Sequence, residues 1–295
     1  MSGTGSIADD EGHGTHVAGS IVATADNDLG IVGVAPGARL LAVKVLDTSG
    51  SGYVSDTADG FEYAADQGAA VVNASLGATS PSRYLKEALA RHPDVVLVAA
   101  AGNEAADVDA SGRYPCAYDL ANVVCVAAST DTGELAARFS NFGATTVDLA
   151  APGQDILSWQ PGSALAWLNG THMAAPHVTG ALARALAPET APGALREALT
   201  TSARGAASLV GKSVAGGTLD AAALLDVVAP PAPTPAPTPA PVPILAPAPA
   251  PEPVPVPVPV PENEPIPAPS SPRRRCRPSL PPFPPRPHAA ARRWP

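Results

Sequence analysis

The sequence Leu168-Asn169-Gly170-Thr171-His172-Met173-Ala174-Ala175-Pro176-His177-Val178 joins a polar, glycine-containing turn to an apolar run that continues to Leu186. Small residues where a strand passes into a helix let a side chain at the helix N-terminus stand exposed in a cleft, as several hydrolases present their nucleophile. The stretch therefore predicts a helix over 171–186 that carries His172 in its first turn.

Composition divides the 295-residue chain near Ala229. Before that point hydrophobic runs alternate with turn residues, and after it Pro alternates with Ala, Val and Thr. The first part is long enough to bury a sizeable core. We therefore predict a globular domain over 1–228 and, over 229–295, a disordered, proline-rich tail of polyproline II character with an arginine-rich end.

Charge is also divided between the two parts. The chain has a formal net charge of −9, and the seven arginines and three glutamates of the tail leave the first 228 residues near −13. An acidic body argues against nucleic acid as a partner. The tail is either a spacer or a segment that binds acidic partners or domains that recognise polyproline II.

The sequence predicts neither a membrane span nor, in its first residues, a secretory signal peptide. No stretch approaches the run of about 20 apolar residues that crosses a bilayer. Residues 1–11 are polar and end in acids, so they do not resemble a secretory signal.

The three cysteines leave two interpretations open. Cys116 and Cys125 are close enough in sequence for a local disulfide, and they are equally well explained as two small buried residues near a strand. Cys276 lies in the tail. No Cys-x-x-Cys spacing is present, so the cysteines predict no metal site.

Two histidines lie in the string His13-Gly14-Thr15-His16-Val17-Ala18-Gly19, which opens a predicted helix. Their i, i+3 spacing has no acid between them, so it favours a packed or capping pair over a metal pair. Gly19 has no side chain, which permits close packing of this helix against a neighbour.

Downstream, predicted buried strands alternate with predicted helices, which indicates a parallel sheet. By themselves, Gly50-Ser51-Gly52 and Ser75-Leu76-Gly77 indicate loops. Asn103 ends a strand, where its amide can donate a hydrogen bond into a cleft, although Gly-Asn is also an ordinary turn. The predicted strands are 39–46, 70–77, 94–100 and 123–127, and the later helices are 54–67, 83–91 and 192–203.

These strings resemble the subtilisin-like serine proteases, peptidase family S8. The resemblance spans roughly 12–225, and it implies an α/β, three-layer fold with a mostly parallel sheet. The blocks that match are the histidine block 13–19, the oxyanion block 100–103, Phe-Ser-Asn at 139–141, Ala-Pro-Gly at 151–153 and the nucleophile block 170–177.

The resemblance implies a role for each block. His13 is the general base, His16 its structural neighbour and Asn103 the oxyanion-hole donor. The substrate backbone, a polypeptide, would add as a short strand between two chain segments. The six residues of those segments are Gly50, Ser51, Gly52, Ser75, Leu76 and Gly77.

Two departures from the family pattern affect catalysis. His172 occupies the position of the nucleophilic serine, and imidazole cannot form the acyl-enzyme by the serine route. The chain begins twelve residues before His13, and neither Asp9 nor Asp10 lies in the family's Asp-(Ser/Thr)-Gly block. We therefore expect an incomplete domain that lacks the first strands of the sheet.

Three functional interpretations remain open at this stage. The chain is an inactive serine-type endopeptidase domain by lineage, a pseudoprotease that binds peptides without cleaving them, or a fragment of an active secreted endopeptidase. The family implies an extracellular location.

No cofactor is expected, with one open alternative for calcium. The loop Asp26 to Ile31 offers acidic, amide and backbone oxygens where the family often binds calcium. It is equally well explained as a polar loop, since an upstream carboxylate of the family's site is missing. His13 and His172 should lie side by side, and two imidazoles bind zinc or copper given a third ligand.

Overall fold

A computed structural model of the chain describes residues 6–186 and 191–228. The predicted tail, 229–295, lies outside the described residues, as does Cys276 within it. Besides two short 3-10 helices, seven α-helices are described: α1 His13–Val22, α2 Val54–Asp66, α3 Arg83–Arg91, α4 Val108–Ser111, α5 Thr171–Ala185, α6 Pro192–Ser202 and α7 Ala221–Val228.

A six-stranded sheet with the order β1-β2-β3-β4-β8-β7 forms the centre of the described part. The first four strands and β8 are parallel, and β7 pairs antiparallel with β8. The apolar runs of β2 and β3 are buried along their whole length, as expected for parallel strands covered on both faces. These strands are β1 Val71–Ala74, β2 Val96–Ala100, β3 Val123–Ser129, β4 Leu149–Pro152, β7 Arg204–Gly205 and β8 Gly217–Thr218.

Helices cover both faces of this sheet, which gives three layers. On one face α5, α6 and α7 pack against Val98, Val126 and their alternate neighbours. On the other face α2 and α3 pack against the intervening side chains Leu97 and Val123. Successive strand side chains point to opposite faces, so each layer receives its own apolar set. The predicted α/β fold class, with three layers and a mostly parallel sheet, is confirmed.

Residues 39–46 are a correction to the sequence prediction. They were expected to form a buried parallel strand, but they form no strand, and Leu40 and Leu41 are 51% and 43% exposed. A strand needs a hydrogen-bonding neighbour. Within the described residues β1 pairs only with β2, and residues 42–47 line a cleft together with Asn73 of β1 rather than pairing with that strand.

A two-stranded hairpin, β5 Ile156–Gln160 with β6 Ala164–Leu168, was not predicted. It packs on α1, and the absence of a side chain at Gly19 permits the contact. A Cβ at Gly19 would lie 3.3 Å from the backbone nitrogen of Trp159. The close helix packing predicted for Gly19 is therefore present, with the hairpin as its partner.

Cys116 and Cys125 form a disulfide, and both residues are also buried. The sulfur atoms join the segment before β3 to β3 itself. The sequence left open whether these cysteines form a disulfide or are small buried residues, and in the structure they are both.

Candidate functional site

The N-terminus of α1 is held by the carboxylate of Asp9. Its Oδ1 accepts from the amide of Gly12 at 2.8 Å, and its Oδ2 accepts from the amide and hydroxyl of Thr15, each at 2.6 Å. A carboxylate here accepts hydrogen bonds from the otherwise unpaired amides of the first helical turn, and its negative charge is stabilised by the positive end of the helix dipole. This arrangement fixes the start of α1, where His13 is the first residue.

Asp9 gives the domain a testable pH dependence. Burial raises the pKa of Asp9, but hydrogen bonds from Thr15, Gly12 and Glu11 outweigh burial and hold this pKa below its ordinary value. A folded-state pKa below the unfolded one stabilises at neutral pH, and the stabilisation is lost as the pH falls through the folded pKa. Asp9→Asn should therefore lower the free energy of unfolding by about 1–2 kcal/mol at pH 7.

The difference in the free energy of unfolding between the parent chain and Asp9→Asn should become smaller at acidic pH, where both side chains are uncharged. Urea unfolding at neutral and acidic pH measures it. Asp119→Asn, a change at an exposed carboxylate, is the matched control and should have little effect. A difference for Asp9→Asn that stays constant with pH would show that the carboxylate charge is not what holds the helix.

His13 is partly buried at the edge of the cleft. Burial lowers the pKa of His13, and the nearby carboxylate of Asp9 partly offsets this effect. The imidazole is therefore neutral at pH 7, which is the form that can accept a proton.

His16 lies one turn further along α1 and is completely buried. Its Nε2 is 3.2 Å from the carbonyl oxygens of Ile156 and Ala166, on the two strands of the hairpin. Burial lowers its pKa to about 4, so the ring is neutral, and the two acceptors assign its proton to Nε2. His16 thus joins α1 to the hairpin and is not directed into the cleft.

His172 lies in the first turn of α5 and faces His13. The ring centroids are 5.4 Å apart and the planes meet at 72°, an edge-to-face arrangement. The carbonyl oxygen of His172 accepts a 2.7 Å hydrogen bond from the hydroxyl of Ser75. Burial, then the neighbouring His13 and Arg113, lowers the pKa of His172 to about 3. Both facing imidazoles are therefore neutral at pH 7.

Asn103 is oriented by Thr171. Its Oδ1 accepts from the amide of Thr171 at 2.8 Å and from the hydroxyl at 3.0 Å. The Thr171 hydroxyl oxygen in turn accepts from the amide of Gly102 at 3.0 Å. Because Oδ1 is occupied by two donors, the Nδ2 group of Asn103 is left to donate elsewhere.

The amide of His172 is a second available donor at this point. In the first turn of α5, Asn103 accepts from Thr171, and the carbonyl of Gly170 accepts from Met173 and Ala174. The His172 amide between them has no backbone partner among residues 6–186 and 191–228. Two donors at a helix N-terminus can stabilise an oxyanion.

A cleft of about 530 Å³ connects most of the predicted site residues. His13 and His172 lie on its wall, and the other predicted residues that line it are Gly50, Ser51, Gly52, Ser75, Leu76 and Gly77. Asn103 is not among the lining residues, but it is fixed to Thr171, the neighbour of His172. The structure thus brings together eight of the nine predicted residues and holds the ninth beside them.

Sequence reasoning missed Asp9, Thr171 and Arg113 as residues that shape this site, and it predicted Ser75 as a substrate-binding residue without its hydrogen bond to His172. Asp9 carried a readable signal, since an acid shortly before a predicted helix is a typical N-terminal feature. The hydrogen bond from Ser75 to the carbonyl of His172 spans 97 positions and left no local signal.

Within the described residues, the structure adds no ligands that would support either metal hypothesis. No cluster of three or more His, Cys, Asp or Glu side chains that could hold a metal ion occurs there. His13 and His172 lie side by side without a third such ligand, and calcium at the loop Asp26 to Ile31 stays a prediction. No described helix is long and apolar enough to cross a membrane.

Comparison with known proteins identifies the family. The subtilase family model, Peptidase_S8, matches residues 2–223. Subtilisin Savinase of Lederbergia lenta is 49% identical over 185 residues, covering 62% of this chain and 66% of that protein. Thermitase of Thermoactinomyces vulgaris is 47% identical over 171 residues, covering 57% of this chain and 59% of that protein.

A longer relative and a solved structure agree with this assignment. Alkaline protease of Shouchella clausii is 49% identical over 185 residues but is covered for only 47% of its length, so the chain spans about half to two thirds of these relatives. A solved structure described as proteases from Pseudoalteromonas arctica PAMC 21717 matches with a TM-score of 0.66 and 31% identity, covering 74% of this chain and 72% of that one. The chain belongs to the subtilase family.

Proposed function

We propose that this subtilase domain binds extended polypeptide segments in its cleft and does not cleave them by the serine route. The observation that carries the proposal is His172, an imidazole at the start of α5, facing His13 where the serine mechanism needs a hydroxyl. The family relationship supplies the expectation of a polypeptide ligand and a serine endopeptidase lineage.

Neighbouring hydroxyls do not replace the missing nucleophile. The Ser75 hydroxyl donates to the carbonyl of His172, and the Thr171 hydroxyl donates to Asn103. Each proton is therefore committed to an acceptor other than His13. A serine mechanism requires the opposite arrangement, with the hydroxyl proton directed at the base.

The two proposed binding segments have backbones that are held by hydrogen bonds. The turn before Gly52 is fixed by Asp47, whose carboxylate accepts from the amides of Ser49 and Ser51 at 2.8 and 3.1 Å. Across the cleft, the end of the Ser75–Gly77 segment is secured where Ala78 and Tyr114 exchange two backbone hydrogen bonds. Preformed backbone edges bind an extended chain with little ordering cost.

The proposed location is extracellular. The subtilisin family implies an extracellular location, and subtilisin Savinase is a relative of this chain. The Cys116–Cys125 disulfide supports the same location. Disulfides persist in oxidising compartments and are rare in the reducing cytosol.

The test combines a binding measurement with a cleavage measurement on the same sample. A fluorescein-labelled unstructured peptide should bind saturably, and mass spectrometry should find it intact. Leu76→Asp, which places a charge in the cleft, should weaken binding by about tenfold because the burial of one leucine is lost. Leu29→Asp, at a 45% exposed leucine that does not line the cleft, is the matched control and should bind normally.

Two results would overturn the proposal. One is peptide binding that is unaffected by Leu76→Asp. The other is release of peptide fragments that disappears in His172→Ala, which would give His172 a proteolytic role.

A further inference from the structure

We propose that His172 is itself a nucleophile toward activated esters, taking the acyl group of an aryl ester onto its imidazole with His13 as the proton acceptor. The proposal goes beyond peptide binding, since it concerns a covalent reaction with a small acyl donor. It does not depend on a polypeptide ever occupying the cleft.

Position is the first argument. His172 lines a cleft of about 530 Å³, so a small ester can reach its ring. Its location in the first turn of α5 is fixed by the Ser75 hydroxyl and by the Thr171–Asn103 hydrogen bonds. Histidine is among the side chains that form covalent intermediates when an adjacent base activates them.

The second argument is the arrangement of the reacting groups. The rings of His13 and His172 lie edge to face at 5.4 Å between centroids, so the two imidazoles are direct neighbours, as a nucleophile and its base must be. The Nδ2 group of Asn103 and the amide of His172 are the two donors available for a negatively charged oxygen.

The protonation state is consistent with this role. An imidazole attacks only through an unprotonated nitrogen, and burial keeps both rings in the neutral form at pH 7. Free histidine, with an ordinary pKa near 6.5, loses its reactive form in mildly acidic solution.

The reaction balances without any further reactant. The unprotonated nitrogen of His172 attacks the ester carbonyl, the tetrahedral intermediate expels a phenolate, and His13 takes the proton from the other ring nitrogen. The product is an acyl-imidazole, and the proton leaves His13 for solvent. Water then attacks the acyl carbon, which releases the carboxylic acid and regenerates neutral His172.

The same chemistry explains why peptide bonds would not be cleaved. A tetrahedral intermediate expels its better leaving group. Once His13 has taken the ring proton, the competing leaving groups are phenolate and imidazolate, and the less basic phenolate leaves, so an aryl ester goes forward to the acyl-imidazole. An amide nitrogen leaves less readily than imidazole, so a peptide returns to the starting state.

The experiment treats the full chain with p-nitrophenyl acetate. We expect a burst of p-nitrophenol and an added acetyl group that peptide mapping locates on His172. His172→Ala should lower the burst rate by about 100-fold or more, and Asn103→Ala by about 100-fold. His92→Gln removes a histidine that packs on Phe61 outside the cleft and should leave the burst unchanged.

Near-ultraviolet circular dichroism confirms that each variant is folded, and His172→Gln serves if His172→Ala is not. Acetylation at another residue, or a burst equal in parent and in a folded His172 variant, would overturn the proposal. The peptide-binding test is separate. Acylation of His172 without peptide binding defeats only the proposed function, and peptide binding without acylation defeats only this inference.

Discussion

A His172→Ser variant is expected to hydrolyse peptide bonds about 100-fold faster than the parent chain. The substitution places a hydroxyl at the start of α5, next to a neutral His13 and the donors of Asn103 and the residue-172 amide. The gain is limited because neither Asp9 nor Asp10 lies in the family's Asp-(Ser/Thr)-Gly block, which supplies the triad aspartate. Losing the nucleophile costs a serine triad about 100-fold more than losing its aspartate, which sets the expected size.

The rate is measured with a fluorogenic peptide, with His172→Ala as the matched variant that has no nucleophile. Adding His13→Ala to His172→Ser should return the rate to the level of His172→Ala, because the serine then has no base. A His172→Ser rate that equals His172→Ala would show that His13 is not placed to take a proton from this position.

Asn141→Ala is expected to lower the free energy of unfolding by about 3 kcal/mol or more. The Asn141 side chain is completely buried, and its Oδ1 accepts from the amides of Glu104 and Ala106 at 3.0 and 2.9 Å. Its Nδ2 donates to the carbonyl of Ala101 at 2.8 Å and to the carboxylate of Glu104 at 2.7 Å. Alanine would leave the carbonyl of the completely buried Ala101 and the part-buried amides of Glu104 and Ala106 without these partners.

Chemical denaturation measures the loss, with Gln67→Ala as the control. Gln67 is exposed at the end of α2, so its change should stay within about 0.5 kcal/mol. The loop that Asn141 holds contains Asn103, so Asn141→Ala should also slow acylation of His172. A stable variant with normal acylation would contradict this positioning role.

The sequence predicted much of the site because its short strings end up where the family pattern puts them. His13 and His172, 159 positions apart, were expected side by side, and their rings are 5.4 Å apart. The two segments 50–52 and 75–77 were expected to flank a cleft, and both line it. Periodicity alone would have assigned both segments to loops.

The errors have a shared physical cause, which is that a strand depends on its neighbour. The apolar run 39–46 has the composition of a buried strand but no strand beside it in the described residues. The hairpin β5–β6 was overlooked although Pro161-Gly162 between two apolar runs is a turn signal. The composition of a segment indicates whether it could form a strand. A neighbouring strand with which it can exchange hydrogen bonds is needed for that strand to form.

The burial of α5 has a consequence for the history of this domain. Met173, Val178 and Leu182 are completely buried, and α5 packs against four strands as well as α1. Substitutions that shift this helix would unfold the protein, so selection for a stable fold alone keeps residue 172 at the same place in the structure. A lineage can therefore abandon one reaction at that position and later acquire another without rebuilding the scaffold.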